Sequence, residues 1–256
     1  MESDLYKVIR EVEDSHWWYV GRRQILRSLL RRIASEIHPV GTSPRILDVG
    51  CGTGGNLAML TEFGTTDGVD IAPEALEFCA ARGLRNVRLG SAESLPFADG
   101  VFDIVTALDV VEHLEDEIRA LREFRRVLRP GGRILVFVPA FRFLWGLQDE
   151  ISHHRRRYTR ALLEARLSAA GLTVYWASYA NITFFLPTLI GRFLLKLTRL
   201  RPRSENSLTL NALNAPLGRL LGSEAYWLSR YRFPFGVSLV CVAGRPSQPP
   251  NRASSN

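Results

Sequence analysis

The 256-residue sequence is poor in cysteine and contains no long uncharged apolar run. Its three cysteines are scattered along the chain without zinc-ligand spacing, and their odd number indicates reduced thiols. No run reaches the roughly 18 apolar residues that a transmembrane helix needs. The first residues carry acid and no apolar core follows them, unlike a secretory signal peptide. We therefore expect a cytoplasmic protein.

Lysine is almost absent, since Lys7 and Lys196 are the only lysines among 33 basic residues. The formal net charge of +7 is compatible with nucleic acid or anionic lipid as a partner, and equally with a solvated basic surface. A hydrophobic fraction of 46% and the chain length fit one sizeable α/β domain with an insertion. Composition alone leaves the partner open.

The stretch 45–56, RILDVGCGTGGN, is the feature around which the rest of the sequence is organised. Ile46, Leu47 and Val49 are typical of a strand buried in a parallel sheet, and helical spacing follows at 57–60. A strand, a glycine turn and a helix expose main-chain N–H groups where a ligand can approach the backbone. The glycines alone also fit the dinucleotide pattern G-x-G-x-x-G, which is a weak signal.

Asp48 distinguishes two interpretations of this loop, because a carboxylate there would repel a pyrophosphate and attract a cationic ligand. The stretch resembles motif I, D-x-G-x-G-x-G, of the class I S-adenosylmethionine-dependent methyltransferases. The cofactor of that family carries an α-ammonium and a sulfonium. The resemblance implies that its methionine part contacts Asp48, Gly50, Cys51, Gly52 and Gly54. An NAD-dependent dehydrogenase is the disfavoured alternative.

Two later segments complete the cofactor site that the resemblance implies. Asp70, with Ile71 beside it, ends a second strand about 20 residues past the glycines, where α/β nucleotide sites place a ribose-binding carboxylate. A helix-capping role for Asp70 is the alternative. The segment 90–97 resembles D-A-E-x-L-P-F, which lines adenine in the family, with a serine in place of Asp that accepts a hydrogen bond more weakly. The residues assigned to this side are Ser91, Ala92 and Glu93.

The segment 109–114, DVVEHL, is a second family resemblance and follows a fourth strand, at the edge where open α/β sheets bind ligands. Leu108, just before it, is assigned to the cofactor site. A hydroxyl or carbon-acid acceptor would need a general base. His113 is the first candidate and His154 the second. The structural alternatives are a histidine tied to backbone at a helix start and a surface residue in a basic loop.

Asp109, Glu112 and His113 also resemble the E-x-x-E-H segment with which some ubiquinone-pathway and small-RNA methyltransferases hold a divalent metal. Oxygen ligands with one imidazole would suit Mg²⁺ or Mn²⁺. Asp109 is shorter than the family glutamate, and many relatives with similar residues use no metal. We therefore predict a site without a metal ion.

Residues 1–38 precede the first strand and are predicted to form a helical cap, with a helix at about 20–37. The cap carries an aromatic cluster, Trp17, Trp18 and Tyr19, which we assign to the substrate site as a lid. The alternative is an apolar anchor that fixes the helix to the sheet, because aromatic side chains dominate burial wherever they pack.

The segment 153–158, HHRRRY, lies beyond the fifth strand, and its last three residues, Arg156, Arg157 and Tyr158, are assigned to substrate binding. Arginine guanidinium groups hold phosphate or carboxylate by paired hydrogen bonds. Thr159 is expected to cap the helix that follows.

An insertion at about 180–236 has no equivalent in the minimal fold of the family. Its first part, 180–203, alternates an apolar side with a basic side at helical spacing, and the basic side includes Arg192, Lys196 and Arg199. Such a helix can lie in a membrane interface. A lid on the substrate pocket and a dimer face are the alternatives.

We predict an α/β fold with a doubly wound, seven-stranded Rossmann-like sheet whose last strand alone is antiparallel. The methyltransferase domain is placed at 39–245 and a disordered tail at 246–256. The predicted activity is methyl transfer from S-adenosylmethionine to a small, hydrophobic or lipid-linked acceptor, with peripheral contact to the inner membrane face through 180–203. An RNA methyltransferase and a non-catalytic methyltransferase-like subunit stay open, and so does the oligomeric state.

Overall fold

The computed structural model describes residues 3–37, 42–198 and 211–247. In these ranges the strands are β1 (Arg45–Val49), β2 (Thr65–Asp70), β3 (Val87–Leu89), β4 (Phe102–Leu108), β5 (Leu128–Pro139), β6 (Thr173–Ala180) and β7 (Ser238–Gly244). The helices are α1 (Ser3–Val12), α2 (Trp17–Ile37), α3 (Gly55–Leu60), α4 (Pro73–Ala81), α5 (Glu117–Val127), α6 (Leu147–Ile151), α7 (Arg160–Ala169), α8 (Phe185–Thr198), α9 (Asn214–Gly222) and α10 (Glu224–Leu228). Short 3₁₀ turns lie at Val111–His113, Arg142–Leu144 and Asn211–Leu213.

The seven strands form one mixed sheet in the order β3-β2-β1-β4-β5-β7-β6. β1 pairs in parallel with β2 and β4, β2 with β3, and β4 with β5, whereas β7 runs antiparallel to both β5 and β6. The predicted doubly wound sheet with an antiparallel last strand is therefore confirmed. The strand order reverses between β1 and β4, and such a switch point is where open α/β sheets bind ligands.

Helices cover both faces of the sheet, which is why its central strands are buried and mostly apolar. On one face, α5 and α7 contribute Phe124 and Leu163 to a buried core. On the other face, α2, α3 and α9 contribute Ile25, Leu60 and Leu221. All seven residues of β4 are buried between these layers. The sheet thus forms a rigid base for the loops at its carboxyl edge.

Capping side chains and a glycine define the ends of α5 and α7, and the cap at Thr159 is the one that the sequence predicts. Oγ1 of Thr159 accepts a hydrogen bond from the N–H of Leu162 at 3.3 Å and caps α7. Gly171, just after α7, has a φ of +78°, a conformation that favours glycine. Asp116 caps α5 in the same way as Thr159 caps α7, by accepting from the N–H of Arg119 at 3.0 Å.

The structure differs from the predicted elements mainly at the ends. α1 is an additional helix ahead of the predicted one, and α2 begins at Trp17 instead of about residue 20. β5 extends back to Leu128 because that residue pairs with Phe102 before a bulge. The predicted tail beyond residue 247, and Arg199 in the insertion, lie outside the described residues. Among the described helices, none combines the length and apolarity needed to span a bilayer.

The N-terminal cap and the insertion pack against each other. A Cβ on Gly21 of α2 would lie 2.7 Å from the Cβ of Leu221 of α9, so the two helices approach closely. The N–H of Trp17 donates to Oδ1 of Asn214 at 3.2 Å, and its ring lies 4.3 Å from that of Phe184. The N-terminal cap and the insertion, which are distant in sequence, therefore form one cover beside the sheet.

Candidate functional site

A cavity of about 540 Å³ opens at the carboxyl ends of β1, β2 and β4. The loop after β1, the turn after β4, α1, the start of α2 and α8 all contribute to its wall. The predicted site residues on this wall are Trp17, Trp18, Tyr19, Gly50, Cys51, Gly52, Asp70, Ile71, Ser91, Ala92, Leu108, His113 and His154. The predicted site residues that do not reach it are Asp48, Gly54, Glu93, Arg156, Arg157 and Tyr158.

The loop after β1 turns its backbone toward the cavity, and glycine makes its path possible. Gly50 has a φ of +68°, and a Cβ there would lie 2.5 Å from Cγ2 of Val110. The N–H of Gly50 donates to the carbonyl of Val69 at 2.8 Å, and the N–H of Gly52 donates to Oδ2 of Asp70 at 2.8 Å. The loop is therefore tied to the end of β2 while its other face stays open to a ligand.

Asp48 lies beneath this loop and not on the cavity wall. Oγ1 of Thr106 donates a hydrogen bond to Oδ1 of Asp48 at 2.7 Å. Burial raises the pKa of Asp48 to about 7; the Thr106 bond opposes this shift and the charge of Asp70 adds to it. A cation held above the loop would favour the ionised carboxylate.

Asp70 ends β2 with both carboxylate oxygens engaged. Oδ2 accepts from the glycine loop, and Oδ1 accepts from the hydroxyl of Tyr6 at 3.1 Å and from the N–H of Ala72 at 3.0 Å. Tyr6 belongs to α1, a helix that the sequence reasoning missed. Tyr6, Ile9 and Glu13 all line the cavity, and their helical spacing is the signal that could have identified them.

The residues after β3 reach the cavity as far as Ala92, and Glu93 does not. Ser91 and Ala92 line the cavity, and the Ser91 hydroxyl oxygen accepts a hydrogen bond from the N–H of Glu93 at 3.1 Å. Glu93 turns away and accepts from the N–H of Asp116 at 3.3 Å, so its role is to hold the start of α5. Gly54 likewise faces side chains of α4 and of the turn after it instead of the cavity.

His113 and His154 lie together on the cavity wall, with ring centroids 4.8 Å apart. Burial and the neighbouring His154 lower the pKa of His113 to about 4, so its ring is neutral at pH 7. Nδ1 of His154 lies 2.8 Å from Oδ1 of Asp149. Although burial opposes ionisation, the bonds from His154 and Arg157 hold the pKa of Asp149 well below its usual range. Sequence reasoning named both histidines but not Asp149, which orients the second.

Glu112 is fully buried beside these histidines. Burial and the charge of Asp109 raise its pKa well above the usual range. Neither carboxylate oxygen of Glu112 has a hydrogen-bond partner in the part of the chain that the structure describes. Asp109 points elsewhere, since its Oδ2 lies 2.5 Å from Nη1 of Arg22. Among the described residues, Glu112, His113 and His154 form a group that could hold a metal ion.

Arg157 and Tyr158 lie inside the protein, which corrects their assignment to substrate binding. Nε and Nη2 of Arg157 lie 2.7 and 3.0 Å from the two oxygens of Asp149, a bidentate pair. The hydroxyl of Tyr158 donates to Glu117, and burial together with this bond raises its pKa. Arg156 is partly exposed and pairs with Glu117 at 3.1 Å. Arg157 and Tyr158 therefore brace the loop from within, and Arg156 braces it from the surface.

Arg192, on the predicted basic side of α8, faces inward and lies on the cavity wall. Its Nη1 donates to the carbonyl of Leu144 and lies 3.5 Å from Oδ2 of Asp149. The α8 residues on the cavity wall are Thr188, Gly191, Arg192 and Leu195. The exposed apolar residues of α8 are Leu186, Ile190, Phe193, Leu194 and Leu197. The apolar side thus faces outward, because a buried carboxylate holds the arginine on the inner side.

The aromatic cluster of the cap contacts the cavity on one side, and its tryptophans contact the buried core on the other. Trp17, Trp18 and Tyr19 line the cavity, and the two tryptophans also pack on the buried core beneath α2. The same side chains therefore anchor the helix and form part of the wall.

Comparisons with known proteins agree with this geometry. Residues 47–136 match a family model described as a methyltransferase domain. The malonyl-[acyl-carrier protein] O-methyltransferase of Methylococcus capsulatus is 31% identical over 227 residues, which cover 80% of this chain and 82% of that protein. The "probable tRNA methyltransferase 9B" of Bos taurus is 31% identical over 134 residues, 49% of this chain but only 28% of that protein.

A solved complex between the Haloferax volcanii Trm112 methyltransferase activator and a methyltransferase is also similar, with a TM-score of 0.59. The match covers 96% of this chain and 95% of that chain at 20% identity, which shows the fold alone. The Methylococcus relative, matched over most of both chains, shows the family. The chain therefore belongs to the class I methyltransferases, enzymes that take their methyl group from S-adenosylmethionine.

Proposed function

We propose that this methyltransferase acts on a hydrophobic or lipid-linked small molecule that reaches the cavity from a membrane surface. The observation that carries the proposal is the orientation of α8. One side of this helix lines the cavity, and the other side presents apolar residues to solvent. A helix placed in this way connects an apolar outer surface directly to the interior of the site.

The outer side of α8 is unusually apolar for a protein surface. Leu186, Ile190, Phe193, Leu194 and Leu197 are each between 49 and 68% exposed. Contiguous apolar patches of this kind mark binding surfaces for proteins, ligands or membranes. An amphipathic helix that lies in a membrane interface buries such a row of apolar side chains among the lipid acyl chains.

The patch continues beyond α8 through aromatic rings. Phe185 lies 6.3 Å from Phe143 and 5.0 Å from Phe235, measured between ring centroids. Phe143 and Phe235 are both exposed, and so is the neighbouring cation Arg142. Each cation near an anionic lipid surface contributes about 1 kcal/mol. Aromatic rings with adjacent arginine therefore favour an anionic bilayer as the surface in contact.

The proposed catalytic role of the chain is mainly alignment, because the leaving group belongs to the cofactor. The glycine loop and Asp70 would hold S-adenosylmethionine at one end of the cavity, while Trp18 and Leu195 supply apolar wall for the acceptor. The pKa of His113 is lowered to about 4, so its ring is a weak base. This argues against His113 as the first candidate for the general base. The group of side chains around His154 is better placed to activate an acceptor.

An RNA acceptor is the second candidate. It is favoured by the net charge of +7 and by the relative whose name refers to tRNA. The exposed side of α8 argues against it, because base and phosphate recognition uses cations and stacking rings more than aliphatic side chains. The relative named for malonyl-[acyl-carrier protein] instead favours an acceptor that is attached to a larger carrier.

Vesicle flotation tests the proposal with purified full-length protein. Vesicles of phosphatidylcholine alone are compared with vesicles that also contain phosphatidylglycerol. We expect the wild type to float with the anionic vesicles. The variant Ile190→Asp/Phe193→Asp/Leu197→Asp should lose more than tenfold in partitioning, since burial of each such side chain contributes about 1.5–3 kcal/mol.

Leu89→Asp is the matched control, because Leu89 is 53% exposed on β3, at the opposite edge of the sheet from β6. It should float like the wild type, and all variants should bind S-adenosylmethionine equally in calorimetry. A wild type that stays in the lipid-free fraction with both vesicle types would contradict membrane delivery. If the wild type instead binds tRNA under the same conditions, that result would support RNA as the acceptor.

A further inference from the structure

We propose that Glu112, His113 and His154 bind a divalent transition-metal ion on the cavity wall, although the sequence predicts a site without metal. One ligand atom from each residue lies within 4.8 Å of the others. Two imidazoles and one carboxylate are a donor set that suits Zn²⁺, Fe²⁺ or Mn²⁺, whereas Mg²⁺ prefers oxygen ligands throughout. The inference concerns binding and does not depend on the acceptor.

The first observation is the carboxylate of Glu112. It is fully buried, and both oxygens have no hydrogen-bond donor among the described residues. Such a group is costly unless something compensates it, and native proteins leave few uncompensated. The closest ion-pair contact is Nε2 of His154, which lies 3.9 Å from Oε1 and beyond hydrogen-bond reach. A metal ion bound between Oε1 of Glu112 and Nε2 of His154 would give each of these two atoms a partner.

The second observation is that each imidazole is oriented from its far side. Nδ1 of His154 lies 2.8 Å from Asp149, whose own charge is held by Arg157, so Nδ1 carries the proton and Nε2 keeps its lone pair. The ring of His113 donates to the main-chain carbonyl of His153. Metal-binding histidines show this pattern, because the outer partner fixes both tautomer and ring orientation.

The third observation limits the ligands to three among the residues that the structure describes. Asp109, which the sequence motif offers as a fourth, pairs with Arg22 at 2.5 Å. His113 and His154 both line the cavity, so the remaining coordination positions would face the space where an acceptor binds. Three protein ligands and an open position are typical of catalytic metal sites, whereas structural zinc sites have four protein ligands.

Metal binding can be measured without knowing the acceptor. Tag-free, full-length protein is dialysed against chelator and titrated with Co²⁺, Zn²⁺ and Mg²⁺ in a calorimeter, and the visible d–d bands of Co²⁺ are recorded. We expect one Co²⁺ or Zn²⁺ per chain, Co²⁺ bands that indicate nitrogen ligation, and far weaker binding of Mg²⁺. Glu112→Gln should lower Co²⁺ affinity at least tenfold, and Asp149→Asn should lower it about 10–100-fold.

Glu115→Gln is the matched control, since this glutamate is three positions away and its side chain is 82% exposed. It should bind Co²⁺ like the wild type. His154→Gln provides a second ligand variant if Glu112→Gln fails to fold, as judged by circular dichroism and S-adenosylmethionine binding. The proposal is overturned if the wild type binds neither Co²⁺ nor Zn²⁺, or if a folded ligand variant binds them as tightly as the wild type.

Discussion

The hydroxyl of Tyr6 donates a hydrogen bond to Oδ1 of Asp70 at 3.1 Å and so joins α1 to the end of β2. A second contact supports this one, because Oγ1 of Thr53 in the glycine loop donates to Oε1 of Glu13, just after α1, at 2.6 Å. The N-terminal segment therefore covers the part of the cavity around Asp70, where we expect the cofactor's ribose. Cofactor binding and the position of α1 should be coupled through Asp70.

The first prediction compares Asp70 with Tyr6. Asp70→Ala should weaken S-adenosylmethionine binding by about 1.5–3 kcal/mol, because hydrogen bonds to a charged group are lost. Tyr6→Phe should bind the cofactor at least as tightly as the wild type, since it removes only a donor that competes for Oδ1. Calorimetry on both variants is the measurement. An unchanged dissociation constant for Asp70→Ala would contradict the ribose assignment.

The second prediction concerns pH and Asp48. Its pKa rises from 3.8 to about 7 on folding because burial disfavours the charged form, so the folded state holds this proton more tightly. The stabilisation that this tighter proton binding gives is complete below the pKa of Asp48 in the unfolded chain. It is lost as the pH rises through the pKa of Asp48 in the folded chain. In the cofactor-free protein, the free energy of unfolding of Asp48→Asn should therefore rise relative to that of the wild type as the pH increases. We expect this difference to grow by about 2–3 kcal/mol between about pH 5 and pH 8.

Urea denaturation at a series of pH values measures this difference, and subtracting the variant from the wild type cancels the other titrating groups. The asparagine can still accept the hydrogen bond from Thr106, so packing is preserved. A difference that stays constant across the range would show that Asp48 ionises normally in the folded protein.

The third prediction separates two neighbouring arginines. Arg157→Ala should lower the free energy of unfolding by about 3–5 kcal/mol, because it leaves the buried carboxylate of Asp149 without its bidentate partner. Arg155→Ala should change it by less than about 0.5 kcal/mol, since this side chain is exposed and lies 3.9 Å from Glu115. Urea denaturation decides between them. Equal effects of the two substitutions would refute the structural role of Arg157.

The sequence alone was sufficient for the features that a few adjacent residues encode. Asp48 before the glycine loop, the strand ending in Asp70 and the cap at Thr159 all depend on local periodicity, turn conformation and capping. These effects act within one strand or one helical turn. The strand order could be predicted because the chain resembles a family in which the same strands, loops and helices occur in the same order along the chain. Such features can be predicted without knowing which elements meet.

Only the tertiary structure decided the partners of the remaining charged and aromatic side chains. The HHRRRY segment places three arginines in a row, and nothing local shows that Arg157 alone reaches Asp149 while Arg155 stays exposed. The direction of Arg192 and the contact of Tyr6 with Asp70 are equally hidden. Each of these contacts forms between elements that are far apart in the sequence and pack against each other only in the folded protein. The burial that strengthens an ion pair or a hydrogen bond exists only once the chain has folded.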